Sequence, residues 1–198
     1  MRALWFVAFV SCATAAFASE DAPGEYTFKA PSGRFTIVER WIRPDYVADN
    51  RHCTPGECGR KATLQFTDKS KREVILADEP EWYAWPADYR ISSDEKWIIR
   101  DQKTGSGENS FFLYRVAPVG DLWRRVESIN HAVFAALLAP LHRTRRDYYH
   151  LQIALVSWEF PAGRLHLKAY ATPNDRKDEL ISGRAVTYDL NKHVATPE

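Results

Sequence analysis

Gln102-Lys103-Thr104-Gly105-Ser106-Gly107-Glu108-Asn109 is the stretch whose residue types best suit ligand binding. Two glycines let backbone N–H groups converge on an anion, and Lys103 adds positive charge. Lys103, Thr104, Gly105, Ser106, Gly107 and Asn109 are the candidate contacts. The order is not that of a P-loop: G-x-x-x-x-G-K-[ST] is absent, and a strand-like apolar run follows instead of a helix. The same composition also serves as a plain connection between strands.

A second candidate is Glu81-Trp82-Tyr83-Ala84-Trp85-Pro86. Exposed, Trp82, Tyr83 and Trp85 would form a platform on which sugar rings or a peptide stack. Buried, they would cap one end of the core. The six histidines, His52, His131, His142, His150, His166 and His193, show no metal-ligand spacing. His142, Asp147 and His150 share one polar segment, where a His–Asp pair could serve as a general base. Among scattered histidines such a pair also arises by chance. Arg143, Arg145 and Arg146 suit either anionic groups or a solvated turn. No G-x-S-x-G elbow is present. No metal or cofactor is implied.

Cys53 and Cys58 flank Thr54-Pro55-Gly56-Glu57, a turn that would bring the two sulfurs together. In an oxidising compartment this even pair is expected to be a disulfide, worth about 2 kcal/mol for so short a loop. Four intervening residues disfavour a redox C-x-x-C pair, and no second Cys pair is present to complete a zinc site.

The start of the chain indicates that compartment. Met1-Arg2 is a short positive segment, Leu4 to Val10 is apolar, and Ala16-Phe17-Ala18 is a small-x-small cleavage site. These are the three parts of a secretory signal. Residues 1–18 are therefore expected to be removed, giving a periplasmic or secreted protein. A lipoprotein signal ending at Cys12 is the alternative, though Phe9 fits that pattern poorly.

The elements that must hold these candidates read mainly as strands. The expected organisation is a loose arm over 19–33, one β-rich domain over 34–192 and a tail over 193–198. Apolar alternation marks strands at 34–41, 62–67, 73–76, 89–91, 97–100 and 111–116, with short connections that suggest an antiparallel meander. The run 103–109 is expected to be an open loop. Leu151 to Trp158 is mostly apolar, as a central strand should be. In the next strand Leu165, Leu167 and Ala169 should face the core, with His166 and Lys168 facing out. A last strand is expected at 185–190. Leu122, Val126, Ile129, Val133 and Leu137 recur at helical spacing, with Asp121 as a cap, predicting a helix from Leu122 to Leu138 that packs on the sheet. The fold class is α+β: mostly antiparallel sheet in meander hairpins, with one main amphipathic helix packed on it.

Ser93-x-x-Lys96-Trp97 opens a hairpin whose next strand carries Tyr114, and Ser157 with Gly163-Arg164-Leu165 does the same before Tyr188. Such strand–turn–strand units resemble blades of TolB-like or WD-type β-propellers. Irregular spacing and the intervening helix argue against a full propeller. The run from Asp94 through Asn109 to Val116 is also similar to exported bacterial proteins without an assigned role, a resemblance that implies no activity.

The chain of 198 residues carries 27 Lys+Arg and 26 Asp+Glu, a net charge of +1. Loss of residues 1–18 would balance it at zero. A neutral balance speaks against nucleic acid as partner. No apolar run reaches the roughly 18 residues of a membrane span. The expectation is an exported, non-catalytic envelope domain that binds a protein or glycan. The alternatives are a periplasmic hydrolase with a site assembled from distant residues, or a secreted inhibitor or immunity-type protein.

Overall fold

The computed structural model describes residues 25–41, 60–67, 71–76, 86–116, 123–159 and 162–198. The expected signal segment with Cys12, the pair Cys53 and Cys58, the cap Asp121, and the aromatics Trp82, Tyr83 and Trp85 lie outside the described residues.

Twelve strands in the described chain form three four-stranded antiparallel sheets, each made of strands consecutive in sequence. The first holds β1 (Glu25–Lys29), β2 (Phe35–Trp41), β3 (Arg60–Phe66) and β4 (Glu73–Ile75). The second holds β5 (Asp88–Ile91), β6 (Trp97–Gly105), β7 (Glu108–Val116) and β8 (Trp123–Ser128). The helix α1 (Ile129–Leu138) leads to the third sheet: β9 (Tyr148–Glu159), β10 (Arg164–Pro173), β11 (Ile181–Asp189) and β12 (Val194–Pro197). The fold is thus mostly antiparallel sheet with one main helix, the class the sequence predicts.

The second sheet is the middle layer, because the period-two alternation of its strands buries both faces. On one face Ile98, Phe112, Tyr114 and Val116 pack with Phe35, Ile37 and Leu64 of the first sheet. On the other, Ile99, Phe111 and Leu113 pack with Ile129, Val133 and Phe134 of α1 and with Leu165, Leu167 and Val186 of the third sheet. In β10 the inward set is Leu165, Leu167 and Ala169, as the alternation requires.

Polar anchors fasten the first sheet to the second. Glu95, in the β5–β6 turn, accepts from Ser32 N–H (2.5 Å) and Ser32 Oγ (2.8 Å) through its carboxylate, while its carbonyl accepts from Arg34 (3.1 Å). The buried Glu39 carboxylate accepts from the Ala87 N–H at 3.2 and 3.3 Å. Burial, reinforced by the negative charge of Glu39, pushes the Tyr89 phenol well above its ordinary range.

Several expectations are corrected. Trp123–Ser128 is strand β8, and α1 begins only at Ile129. Its backbone pairs with β7 from Val116↔Trp123 to Phe112↔Ser128. A helix there would leave that edge of β7 without ladder partners, so tertiary pairing overrides a short helical spacing. The arm expected over 19–33 contains β1, where Tyr26 and Phe28 alternate with polar residues and pair with β2. The tail expected over 193–198 contains β12, whose Pro197 is tolerated because the strand lies at the sheet edge. β9 is not central: it is the terminal strand of the third sheet. Its apolar run is split between core and rim, with Ile153 buried but Val156 58% exposed.

Candidate functional site

The middle sheet and β9 enclose a cleft of about 600 Å³. Its walls follow from strand period. On β6, Ile99, Asp101 and Lys103 project from the face turned toward the third sheet, and on β7 Asn109 and Phe111 do the same. Arg90, paired across from Ile99, closes one side. The opposite wall is β9 from Gln152 to Ser157, with Tyr170 of β10 beside it. The floor is apolar, from Ile99, Phe111, Ile153 and Leu155, and the rim carries Arg90, Asp101, Lys103, Glu108, Gln152 and Ser157.

Two asparagines stitch this region together. As β8 turns into α1, the buried Asn130 takes over the pairing with β7: its Oδ1 accepts from Phe111 N–H (2.6 Å) and its Nδ2 donates to the Asn109 carbonyl (2.7 Å). Asn109 repeats the device one strand further on. Its Nδ2 donates to the Ile153 carbonyl (2.8 Å) and its Oδ1 accepts from the Ile153 N–H (2.9 Å). A side-chain amide has the donor and acceptor of a peptide group, so each asparagine stands in for a strand residue. Asn109 thus locks β9 to the middle sheet at one end of the cleft.

Asn109 Nδ2 also donates to Asp101 Oδ1 at 2.7 Å. Burial raises the Asp101 carboxyl from 3.8 to about 6; the Asn109 bond and Arg90 oppose the rise, and Asp88, opposite on β5, adds to it. Arg90 is held by Asp88 at 2.7 Å. The wall therefore presents a carboxyl that changes charge near neutrality beside an ion pair.

The segment expected as an open loop is strand and turn. Lys103, Thr104 and Gly105 end β6, Glu108 and Asn109 begin β7, and only Ser106-Gly107 turns. Gly107 has φ of +71°, and a Cβ there would lie 3.0 Å from ring carbons of His150. His150 itself has φ of +52° within β9, at the irregularity where β10 residues Tyr170 and Thr172 pair with Gln152 and Tyr149. A β-bulge there turns the histidine out of the ladder and onto the hairpin tip. Its ring also meets that of Tyr149, with centroids 4.6 Å apart.

Of the loop residues singled out in the sequence, Lys103, Gly105, Gly107 and Asn109 line the cleft, while Thr104 and Ser106 do not. The His142–Asp147–His150 segment does not supply a His–Asp base. The Asp147 carboxylate caps a short turn by accepting from Thr144 N–H (2.7 Å) and Oγ1 (2.9 Å), which holds it below the usual carboxylate range. Arg143 forks onto Asp178 at 2.7 and 3.0 Å. Among the described residues no group of His, Cys, Asp or Glu is arranged to hold a metal ion, and no helix is long and apolar enough to cross a membrane.

Asp101, Arg90, Tyr170 and the edge of β9 are the site residues that reading the sequence missed. One signal was present: in Ile99-Arg100-Asp101-Gln102-Lys103 the period of two puts Asp101 and Lys103 on the face of buried Ile99, a place where charge has to be compensated or used. The joining of β9 to this face comes from residues some fifty positions away and leaves no local trace.

No family model, curated protein or solved structure matches this chain.

Proposed function

We propose that this chain is an exported envelope domain that binds its ligand, a protein or glycan, in the cleft between the middle sheet and β9. The observation that carries the reading is the cleft itself: about 600 Å³, apolar below and polar at the rim, on rigid paired strands. The export signal read from residues 1–18 supplies the compartment.

A second reading has one observation in its favour. A carboxyl titrating near 6 in a cleft suits a general acid, so an envelope hydrolase using Asp101 is the alternative.

Co-sedimentation of the protein with a purified envelope fraction tests the binding reading. Ser157 is exposed, lines the cleft and pairs with His166, so Ser157→Trp adds bulk at the cleft wall without entering the core. Retention is expected for the parent and at least a tenfold loss for Ser157→Trp at unchanged melting temperature. Equal retention of the two, or none for the parent, overturns the reading. Peptide or glycan cleavage that Asp101→Asn abolishes would instead establish the hydrolase.

A further inference from the structure

Six consecutive β9 residues, Gln152 to Ser157, line the cleft. Alternate side chains of a strand point to opposite faces, so the regular run from Gln152 to Leu155 lines one cavity because the strand presents its edge, and the irregularity at Val156, between Leu155 and Ser157, brings the last residues onto the same side. β9 is the terminal strand of its sheet, and among the described residues only β10 is laddered to it. The outward edge is competent for pairing, because Asn109 already bonds both the N–H and the carbonyl of Ile153 there. The same period turns the peptide groups of Leu155 in the direction of those of Ile153, beyond the reach of a single asparagine. Exposed Val156 and half-buried Leu155 make this stretch an apolar edge, the kind that natural sheets cover or pair.

We propose that the edge of β9 from Ala154 to Ser157 binds an extended peptide by β-augmentation, the peptide lying as an added strand between β9 and the middle sheet. The inference rests on the binding reading above and names the ligand class. Main-chain bonds to the β9 edge would hold the peptide, while every second side chain would meet the apolar floor of Ile99, Phe111 and Leu155. The charged groups at the rim, Arg90 and Lys103 against Asp101 and Glu108, balance to zero at neutral pH. The favoured segment is therefore uncharged, with aliphatic or small residues at alternate positions. A glycan could fill the same volume but would leave the strand edge without its alternating donor–acceptor partner.

The test uses a phage-displayed library of decapeptides and, in parallel, soluble peptidoglycan glycan strands, both against the signal-free protein. A selected uncharged peptide should slow hydrogen exchange of amides within Ala154–Ser157 by at least tenfold. N-methylation of the peptide at alternate positions should weaken binding by tenfold or more, with little effect at the intervening ones. Ser157→Trp should abolish binding without lowering the melting temperature. Peptides that bind without β9 protection, or tolerate methylation everywhere, overturn augmentation. Glycan strands that protect the cleft while no peptide does overturn the peptide assignment but leave the cleft reading standing. Failure of both probes, with envelope retention unaffected by Ser157→Trp, removes both.

Discussion

Burial keeps the Asp101 carboxyl protonated to about pH 6 in the folded chain, against 3.8 for an ordinary aspartate. Below both values the group is neutral folded and unfolded and contributes no difference. Between them the folded chain binds more protons, so stability falls as pH rises; above 6 the whole penalty is felt, at most roughly 3 kcal/mol. Asp101→Asn keeps an oxygen to accept from Asn109 and removes the titration. Urea unfolding should show the variant gaining about 1–3 kcal/mol on the parent between pH 4 and 7, with the gap flat above. A gap independent of pH would return Asp101 to the ordinary carboxylate range. Gly107 is the other informative single site. Its φ of +71° and the His150 ring at 3.0 Å from an added Cβ both oppose a side chain. Gly107→Ala should cost about 1–2 kcal/mol, and less in a His150→Ala background, where only the backbone term survives. Equal costs in the two backgrounds would remove the ring contact from the account.

At the scale of elements, β5, β6 and β7 of the middle sheet were legible because their apolar runs are strand-like and their turns short, whereas the fourth strand, β8, was not. The start of the helix was not. Leu122, Val126 and Ile129 fit helical spacing, yet Trp123–Ser128 is drawn into the ladder of β7, whose partnerless edge lies outside any local window. The two faces of the remaining helix are clear: Ile129 is buried and His131 exposed. Ile129→Asp should destabilise by several kcal/mol through an unpaired buried charge, and His131→Asp by less than about 0.5 kcal/mol. Similar costs would mean that the buried face is wrongly assigned. The junction has its own marker in Asn130, whose amide replaces the strand that has just ended. Asn130→Ala leaves the Phe111 N–H without that acceptor and should cost about 1–3 kcal/mol, with faster exchange at that amide. Protection unchanged from the parent would show that water serves as well.

For the whole molecule, half of the candidate cleft was readable and half was not. Lys103 to Asn109 stood out by composition, but β9 joins them through tertiary pairing with Asn109, and the edge position of β9 is a fact of topology. The same topology sets how the stack should come apart. Ile98 and Ile99 are neighbours on β6, both fully buried, yet Ile98 packs toward the first sheet and Ile99 toward the third. The second and third sheets share α1, which Asn130 fastens to β7, and the stitch of Asn109 to β9. Polar anchors at Glu95 and Glu39 fasten the first sheet along one apolar face. A single sheet resting on one interface opens at lower free energy than a pair sharing a helix, so the first sheet should open before the rest. Ile98→Ala and Ile99→Ala should each cost about 2–5 kcal/mol locally, from lost burial and the cavity left behind. Native-state hydrogen exchange can separate them. Ile98→Ala should lower protection in all four strands, because opening of the first sheet and global unfolding both lose that interface. Ile99→Ala should lower protection in β10 and β11 while β2 and β3 keep the parent's values, because the first sheet can open with the second and third still packed together. If Ile99→Ala weakens β2 and β3 as much as β10 and β11, the three sheets unfold as one unit and the layered account fails.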